Sequence, residues 1–232
     1  MNAKEYVRRS LLTQDRQNVE DTQFELLCHM EEGATLPKYL DEKIDLRAIK
    51  YGLKRSQIIA SGISDLLAAT TLAKSANRQN FPEALQIKYL NTYRSKSIEK
   101  LPENGLGSIR IQNGELLYNT TRARMNATKT IDGQDKNQFI SFKYIEQAGG
   151  AQDNQILDVI NFLTEAVKYT LNNNNSVTFA AVIDGDYGES KIPELKRLVK
   201  DNFRVNVFTS DTYKKVAFTT KKRLTTKVIY NN

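Results

Sequence analysis

The chain has 232 residues and a mass of 26.4 kDa, of which 40% are hydrophobic and 26% charged, as in a folded globular protein. No apolar run approaches the roughly 20 residues that span a bilayer, and the N-terminal sequence has no apolar signal core. We therefore expect a cytoplasmic protein without a membrane segment. One cysteine and one histidine, Cys28 and His29, exclude a four-ligand zinc site and any mechanism that needs separate catalytic Cys and His residues.

The chain is basic, with a net charge of +7 and an isoelectric point near 9.3, which suggests a polyanionic partner. The positive charge is concentrated in two regions. Residues 212–232 hold six basic residues and no acid, and residues 86–129 hold eight basic residues against three acids. A solvated basic face is the alternative interpretation, and the charge alone does not decide between the two.

Residues 1–80 have apolar residues at helical spacing, interrupted by glycines and a proline, and show no β alternation. They predict a helical N-terminal region. Within it, residues 48–67 are consistent with two short helices around a turn. Packing of these helices against a core is the favoured interpretation, and a helix-turn-helix that reads DNA is the alternative. Residues 81–93 predict another helix, with Pro82 near its first turn.

From residue 81 to residue 232 the pattern changes to α/β. Asn113-Gly114, between two alternating runs, predicts a β-hairpin over residues 108–119. Further elements follow with short links: a strand ending at Asp132, a polar loop over 133–138, a strand over 139–145, a helix over 152–171, a buried strand over 177–183, a helix over 190–200 with Pro193 in its first turn, and a strand over 204–208. This order predicts an α/β fold with a mixed central β-sheet flanked by helices, in which the C-terminal strands are parallel.

A lysine, Lys143, lies in the middle of the apolar strand over residues 139–145, on the same face as Ser141. Burying an ammonium without a partner is costly. The lysine therefore indicates either an edge strand, from which its side chain reaches water, or a cleft that also contains carboxylates. Antiparallel pairing with the preceding strand would bring Asp132 close to the face that bears Ser141 and Lys143.

This order of elements resembles the PD-(D/E)XK nuclease superfamily, and within it the type II restriction endonucleases. The resemblance covers roughly residues 80–210 and is clearest in the segment ISFKYIEQAGGAQDNQILDVINFL. It implies a restriction-endonuclease-like core and a Mg²⁺-dependent endonuclease that hydrolyses phosphodiester bonds in double-stranded DNA at a short specific site. It also implies a homodimer, in which residues 1–80 would serve dimerisation or DNA wrapping.

The resemblance also implies roles for individual residues. Asp132 would ligate the metal, and Lys143 would orient or activate the attacking water. Ser141 stands where the motif has its second carboxylate, and some family members with serine there recruit an acid from the following helix. Asp153, one turn before the apolar stripe of that helix, is the candidate, with helix capping as the alternative. Glu83 resembles a further acid of these nucleases, although a solvent-exposed glutamate is an equally good interpretation.

Two basic segments are candidates for DNA contacts. Arginine side chains commonly hydrogen-bond to guanine and to phosphate, and lysine side chains contact phosphate. The residues concerned are Arg122 and Arg124 in the connection before the second strand pair, and Lys221, Lys222 and Arg223 in the C-terminal segment.

Asp184-Gly185-Asp186 follows the predicted buried strand, at the end where α/β proteins bind ligands. A plain turn is the favoured interpretation, and a second metal site or a base-reading element are the alternatives.

Two other functions agree with the same sequence. One is a non-catalytic, sequence-specific DNA-binding protein, which the serine at position 141 favours. The other is a structure-specific repair or junction nuclease.

Overall fold

A computed structural model describes residues 1–76, 81–93, 97–119 and 131–216. Its helices are α1 (Ala3–Glu32), α2 (Lys38–Tyr51), α3 (Arg55–Ser64), α4 (Leu66–Leu72), α5 (Phe81–Thr92), α6 (Gly150–Asn172) and α7 (Asp186–Leu198). Its strands are β1 (Glu99–Lys100), β2 (Ile109–Gln112), β3 (Glu115–Tyr118), β4 (Gly133–Asp135), β5 (Gln138–Tyr144), β6 (Thr178–Asp184) and β7 (Val205–Phe208). Among these described segments, none of the helices has the length and apolar character needed to cross a membrane.

The chain forms two compact units. One is the helical unit, Arg8–Pro82, and the other is the α/β unit, which combines Met1–Val7 with the described residues from Glu83 onward. In the helical unit, apolar side chains of α1 to α4 form one core, which includes Leu26, Leu40, Ile44, Ile58, Ile59 and Leu72. Because Ile58 and Ile59 of α3 are buried in it, the structure agrees with core packing as the role of this helix.

The hairpin predicted around Asn113-Gly114 is confirmed. β2 and β3 are antiparallel, with Gln112 opposite Glu115. Asn113 has φ 53° and Gly114 has φ 72°, and two positive φ angles are what a two-residue type I′ turn requires. The Gly114 amide donates to Glu165 Oε2 of α6 at 2.8 Å, so the turn is tied to that helix.

The five-stranded sheet of the α/β unit has the order β1-β4-β5-β6-β7. The pairs β1–β4 and β4–β5 are antiparallel, whereas β5–β6 and β6–β7 are parallel. The predicted mixed sheet with parallel C-terminal strands is therefore confirmed. Side chains of α6 pack on one face of the sheet, beside Phe139 and Phe179, and side chains of α5 pack on the other, beside Phe142 and Val182.

Two local predictions were wrong. The expected loop over residues 133–138 contains strand β4 and the first residue of β5, because the chain reverses in a tight turn where Lys136 adopts φ 54°. Helix α7 begins at Asp186, four residues before the expected start, so Pro193 lies inside the helix and not in its first turn. Gly185, with φ 91°, redirects the chain immediately after β6 and lets the helix begin early.

Candidate functional site

Asp132 immediately precedes β4 and lies against the middle of β5. Its amide donates to the Ile140 carbonyl at 3.0 Å, which extends the antiparallel pairing by one residue. Its Oδ2 accepts hydrogen bonds from the Phe142 amide at 2.7 Å and from Ser141 Oγ at 3.3 Å. The predicted proximity of Asp132 to Ser141 is confirmed, and the carboxylate is held in position by the backbone of β5.

Lys143 lies two residues after Ser141 on β5 and extends from the same face of the strand. Its Nζ lies 3.1 Å from Glu83 Oε1, in the first turn of α5, and the two side chains are only 13% and 19% exposed. Both simpler interpretations are therefore wrong. β5 lies between β4 and β6 in the sheet, and although its pairing with β4 covers only residues 138–140, the Lys143 side chain is largely buried; Glu83 is not a solvent-exposed glutamate. The partial burial strengthens the attraction between the two charges, since less water screens them.

Four of the predicted site residues thus form two contacting pairs that are neighbours along β5. Ser141 and Lys143 are two residues apart on β5 and share a face, Asp132 contacts the first of them, and Glu83 contacts the second. Two carboxylates, a hydroxyl and an ammonium from three elements form what we call the β5 site.

Asp153 has a different environment. It lies in the first turn of α6, and its Oδ1 accepts a hydrogen bond from Tyr187 of α7 at 2.5 Å. This bond raises the pKa of the Tyr187 hydroxyl, because it stabilises the protonated form. The N-cap of α6 is Gly149, so Asp153 is not the capping residue.

The three acids that we considered as metal ligands are not gathered into a single cluster. Within the part of the chain that the structure describes, no group of three or more His, Cys, Asp or Glu side chains is arranged to hold a metal ion. Asp132 and Glu83 belong to the β5 site, whereas Asp153 bonds to Tyr187. A ligand role for Asp153 stays a prediction.

Asp184 is a buried acid next to the β5 site whose partners the sequence did not indicate. It is the last residue of β6 and only 1% exposed. Its carboxylate accepts from the Ser210 amide at 2.9 Å, from Ser210 Oγ at 2.5 Å and from Gln86 Nε2 at 2.7 Å. Burial raises the pKa of Asp184, and the hydrogen bonds from Ser210 and Gln86 oppose that change.

Gln86 connects this acid to the strand that bears Lys143. Its Nε2 also donates to the Lys143 carbonyl at 3.1 Å, so one amide links β5, β6 and α5. The turn expected over residues 184–186 consists of Gly185 alone, because Asp184 ends β6 and Asp186 begins α7. One feature of the sequence could have indicated this buried acid: Asp184 directly follows a run of apolar residues, at the carboxyl end of a predicted parallel strand.

The candidate DNA contacts Arg122, Arg124, Lys221, Lys222 and Arg223 lie outside the described residues. Comparison of the chain with models of protein families, with curated proteins and with solved structures finds no match.

Proposed function

We propose that the chain is a Mg²⁺-dependent endonuclease that hydrolyses phosphodiester bonds in double-stranded DNA, of the type II restriction kind that cuts a short specific site. The observation that carries this proposal is the β5 site, in which Asp132 and Glu83 flank the segment Ser141-Phe142-Lys143. The net charge of +7 supports a polyanionic substrate. A homodimer is the assembly that a two-fold symmetric site in DNA would match.

The side chains of the β5 site fit the requirements of a magnesium ion. Mg²⁺ takes oxygen ligands, typically one or two carboxylates together with phosphate oxygens and water. Asp132 would hold it together with Glu83 or, as the resemblance implies, Asp153, and Ser141 cannot add an anionic ligand. When bound, the ion polarises a phosphoryl oxygen and lowers the pKa of a water molecule.

The protein's own groups have separate tasks in this proposal. The Lys143 ammonium stabilises the negative charge that develops on the phosphate in the transition state. Glu83 holds this ammonium in place through the 3.1 Å ion pair. The Phe142 amide and the Ser141 hydroxyl orient the Asp132 carboxylate. Since each of these groups lies on a helix or at a paired strand, the arrangement exists before the substrate binds.

A second candidate function is DNA binding without catalysis. Two observations favour it: Ser141 occupies the position of an expected carboxylate, and the ammonium of Lys143 is already paired with Glu83. In that case the β5 site would only stabilise the fold.

A plasmid incubated with the protein, with and without Mg²⁺, tests both candidates. Discrete fragments that require Mg²⁺ support the specific endonuclease, and a continuous smear indicates a nuclease without site preference. A gel shift without any cutting contradicts the endonuclease and supports the DNA-binding protein.

A further inference from the structure

Arg110, in the middle of β2, is a buried cation outside the β5 site. It is only 6% exposed, and it lies opposite Leu117 of β3. Its Nη2 donates to the Glu103 carbonyl at 3.3 Å and to Asn104 Oδ1 at 3.0 Å. Its Nε is buried, and among the residues that the structure describes none accepts a hydrogen bond from it.

Both acceptors of the Arg110 guanidinium are uncharged, and this makes its burial unusual. A guanidinium stays protonated at any ordinary pH, so it cannot avoid the cost of burial by losing its charge. Buried charges are normally paired with an opposite charge, and a buried donor without an acceptor adds a further cost. An anion at this position would supply both the missing acceptor and the missing opposite charge.

The position of Arg110 links it to the β5 site. The carbonyl of the preceding residue, Ile109, accepts a hydrogen bond at 2.9 Å from the amide of Ile131, which directly precedes Asp132. The hairpin that carries Arg110 is also bonded to α6 through Gly114 and Glu165. A DNA strand presents one phosphate about every 3.4 Å along the helix axis, so a strand at the β5 site has further phosphates close by.

We propose that Arg110 binds a backbone phosphate of DNA that neighbours the phosphate at the β5 site. The planar guanidinium offers its Nε–H together with an Nη–H, a pair that matches two phosphate oxygens. Until the phosphate arrives, the neutral oxygens of Glu103 and Asn104 are its acceptors. This inference rests on the proposed function, because DNA is the ligand.

The decisive variant is Asn104→Asp, which puts a carboxylate beside the guanidinium without removing the hydrogen-bond acceptor. Arg110→Met removes the charge and keeps most of the volume. Arg197→Met, at an exposed position in the last turn of α7, removes one positive charge elsewhere and serves as the control. Circular dichroism and thermal melting show whether each variant folds. If Arg110→Met does not fold, Asn104→Asp alone decides the question.

Affinity for a short DNA duplex is measured by fluorescence anisotropy in EDTA over a series of KCl concentrations. Asn104→Asp and Arg110→Met are expected to flatten the slope of log K against log salt by about one unit, and Arg197→Met is expected to leave it unchanged. An unchanged slope in folded Asn104→Asp overturns the proposal.

Inorganic phosphate provides an independent readout. At matched ionic strength, phosphate should raise the melting temperature of the wild type above its value in chloride, whereas Asn104→Asp should melt higher in chloride and respond less to phosphate. A phosphate response without a change in DNA slope would assign the site to free phosphate and overturn the DNA assignment.

Altered slopes in a protein that never cuts DNA would refute the proposed endonuclease and support the phosphate contact of Arg110. Normal cutting with unaltered slopes would refute the phosphate contact of Arg110 and leave the proposed endonuclease standing.

Discussion

Lys143 and Glu83 are separated by 60 residues in the sequence, yet Lys143 Nζ lies 3.1 Å from Glu83 Oε1. The ion pair joins a central strand of the sheet, β5, to the first turn of α5, and Gln86, one turn further along α5, donates to the Lys143 carbonyl. The position of the ammonium is therefore determined by how α5 packs on the sheet.

Lys143→Ala is expected to abolish DNA cleavage and to change DNA affinity by no more than about tenfold, because the ammonium acts mainly on the transition state. Cleavage rates and dissociation constants measured on the same duplex check this. Lys196→Ala is the matched control, since this lysine is exposed in the last turn of α7. Cleavage at the wild-type rate by Lys143→Ala would exclude the β5 site as the active site.

Glu83→Gln and Asp153→Asn distinguish the two candidates for the second acid. Mutating the partners of metal ligands costs about 10–100-fold in activity, so loss of a ligand at Glu83 should lower the cleavage rate by about a hundredfold or more. If Glu83 is that ligand, Asp153→Asn should cut at close to the wild-type rate and melt slightly earlier, because it weakens the bond from Tyr187. If Asp153 is the ligand, Asp153→Asn should fail to cleave. The opposite ranking of the two rates would assign the second acid to α6.

Asp184→Asn should change how stability depends on pH. Burial raises the pKa of Asp184 in the folded protein above its ordinary value of 3.8. As the pH rises past that value, the unfolded chain releases this proton while the folded chain retains it, so the contribution of the group to stability falls until its folded pKa is passed.

Asparagine is neutral at every pH and does not show this loss. The melting temperature of Asp184→Asn, relative to that of the wild type, should therefore increase from acid to neutral pH. The same comparison with Asp201→Asn, at an exposed position, controls for the loss of a carboxylate. A difference that stays constant or shrinks with rising pH would contradict a raised pKa at Asp184.

Gly185→Ala should lower the free energy of unfolding by roughly 2–6 kcal/mol, since a non-glycine residue held at φ 91° and ψ 152° costs about 1–3 kcal/mol and overpacking about 1–3 kcal/mol. Gly185 has φ 91°, and an added Cβ would lie 2.6 Å from the carbonyl carbon of Ile145. Backbone atoms cannot move aside as a side chain can. Urea unfolding measures the effect.

Gly150→Ala provides the contrast, because an added Cβ at the start of α6 would meet nothing within 4 Å. Its expected change is within about 1 kcal/mol. Equal stability of the two variants would show that the contact between Gly185 and Ile145 is not tight in solution.

The sequence by itself determined the features that depend on neighbouring residues. Asn113-Gly114 specifies its turn because both residues tolerate positive φ. The apolar run that became β6 indicates a strand covered on both faces. Asp132 and Ser141 could be predicted to lie close together because two consecutive strands joined by a short connection pair as antiparallel neighbours.

Only the tertiary structure decided which side chains from distant elements meet. Glu83 pairs with Lys143, Asp184 is bound by Gln86 and Ser210, and Asp153 bonds to Tyr187. Periodicity and turn chemistry describe the path of the backbone within an element. They do not specify how a helix is rotated and shifted on a sheet, and that packing determines the partner of each polar side chain.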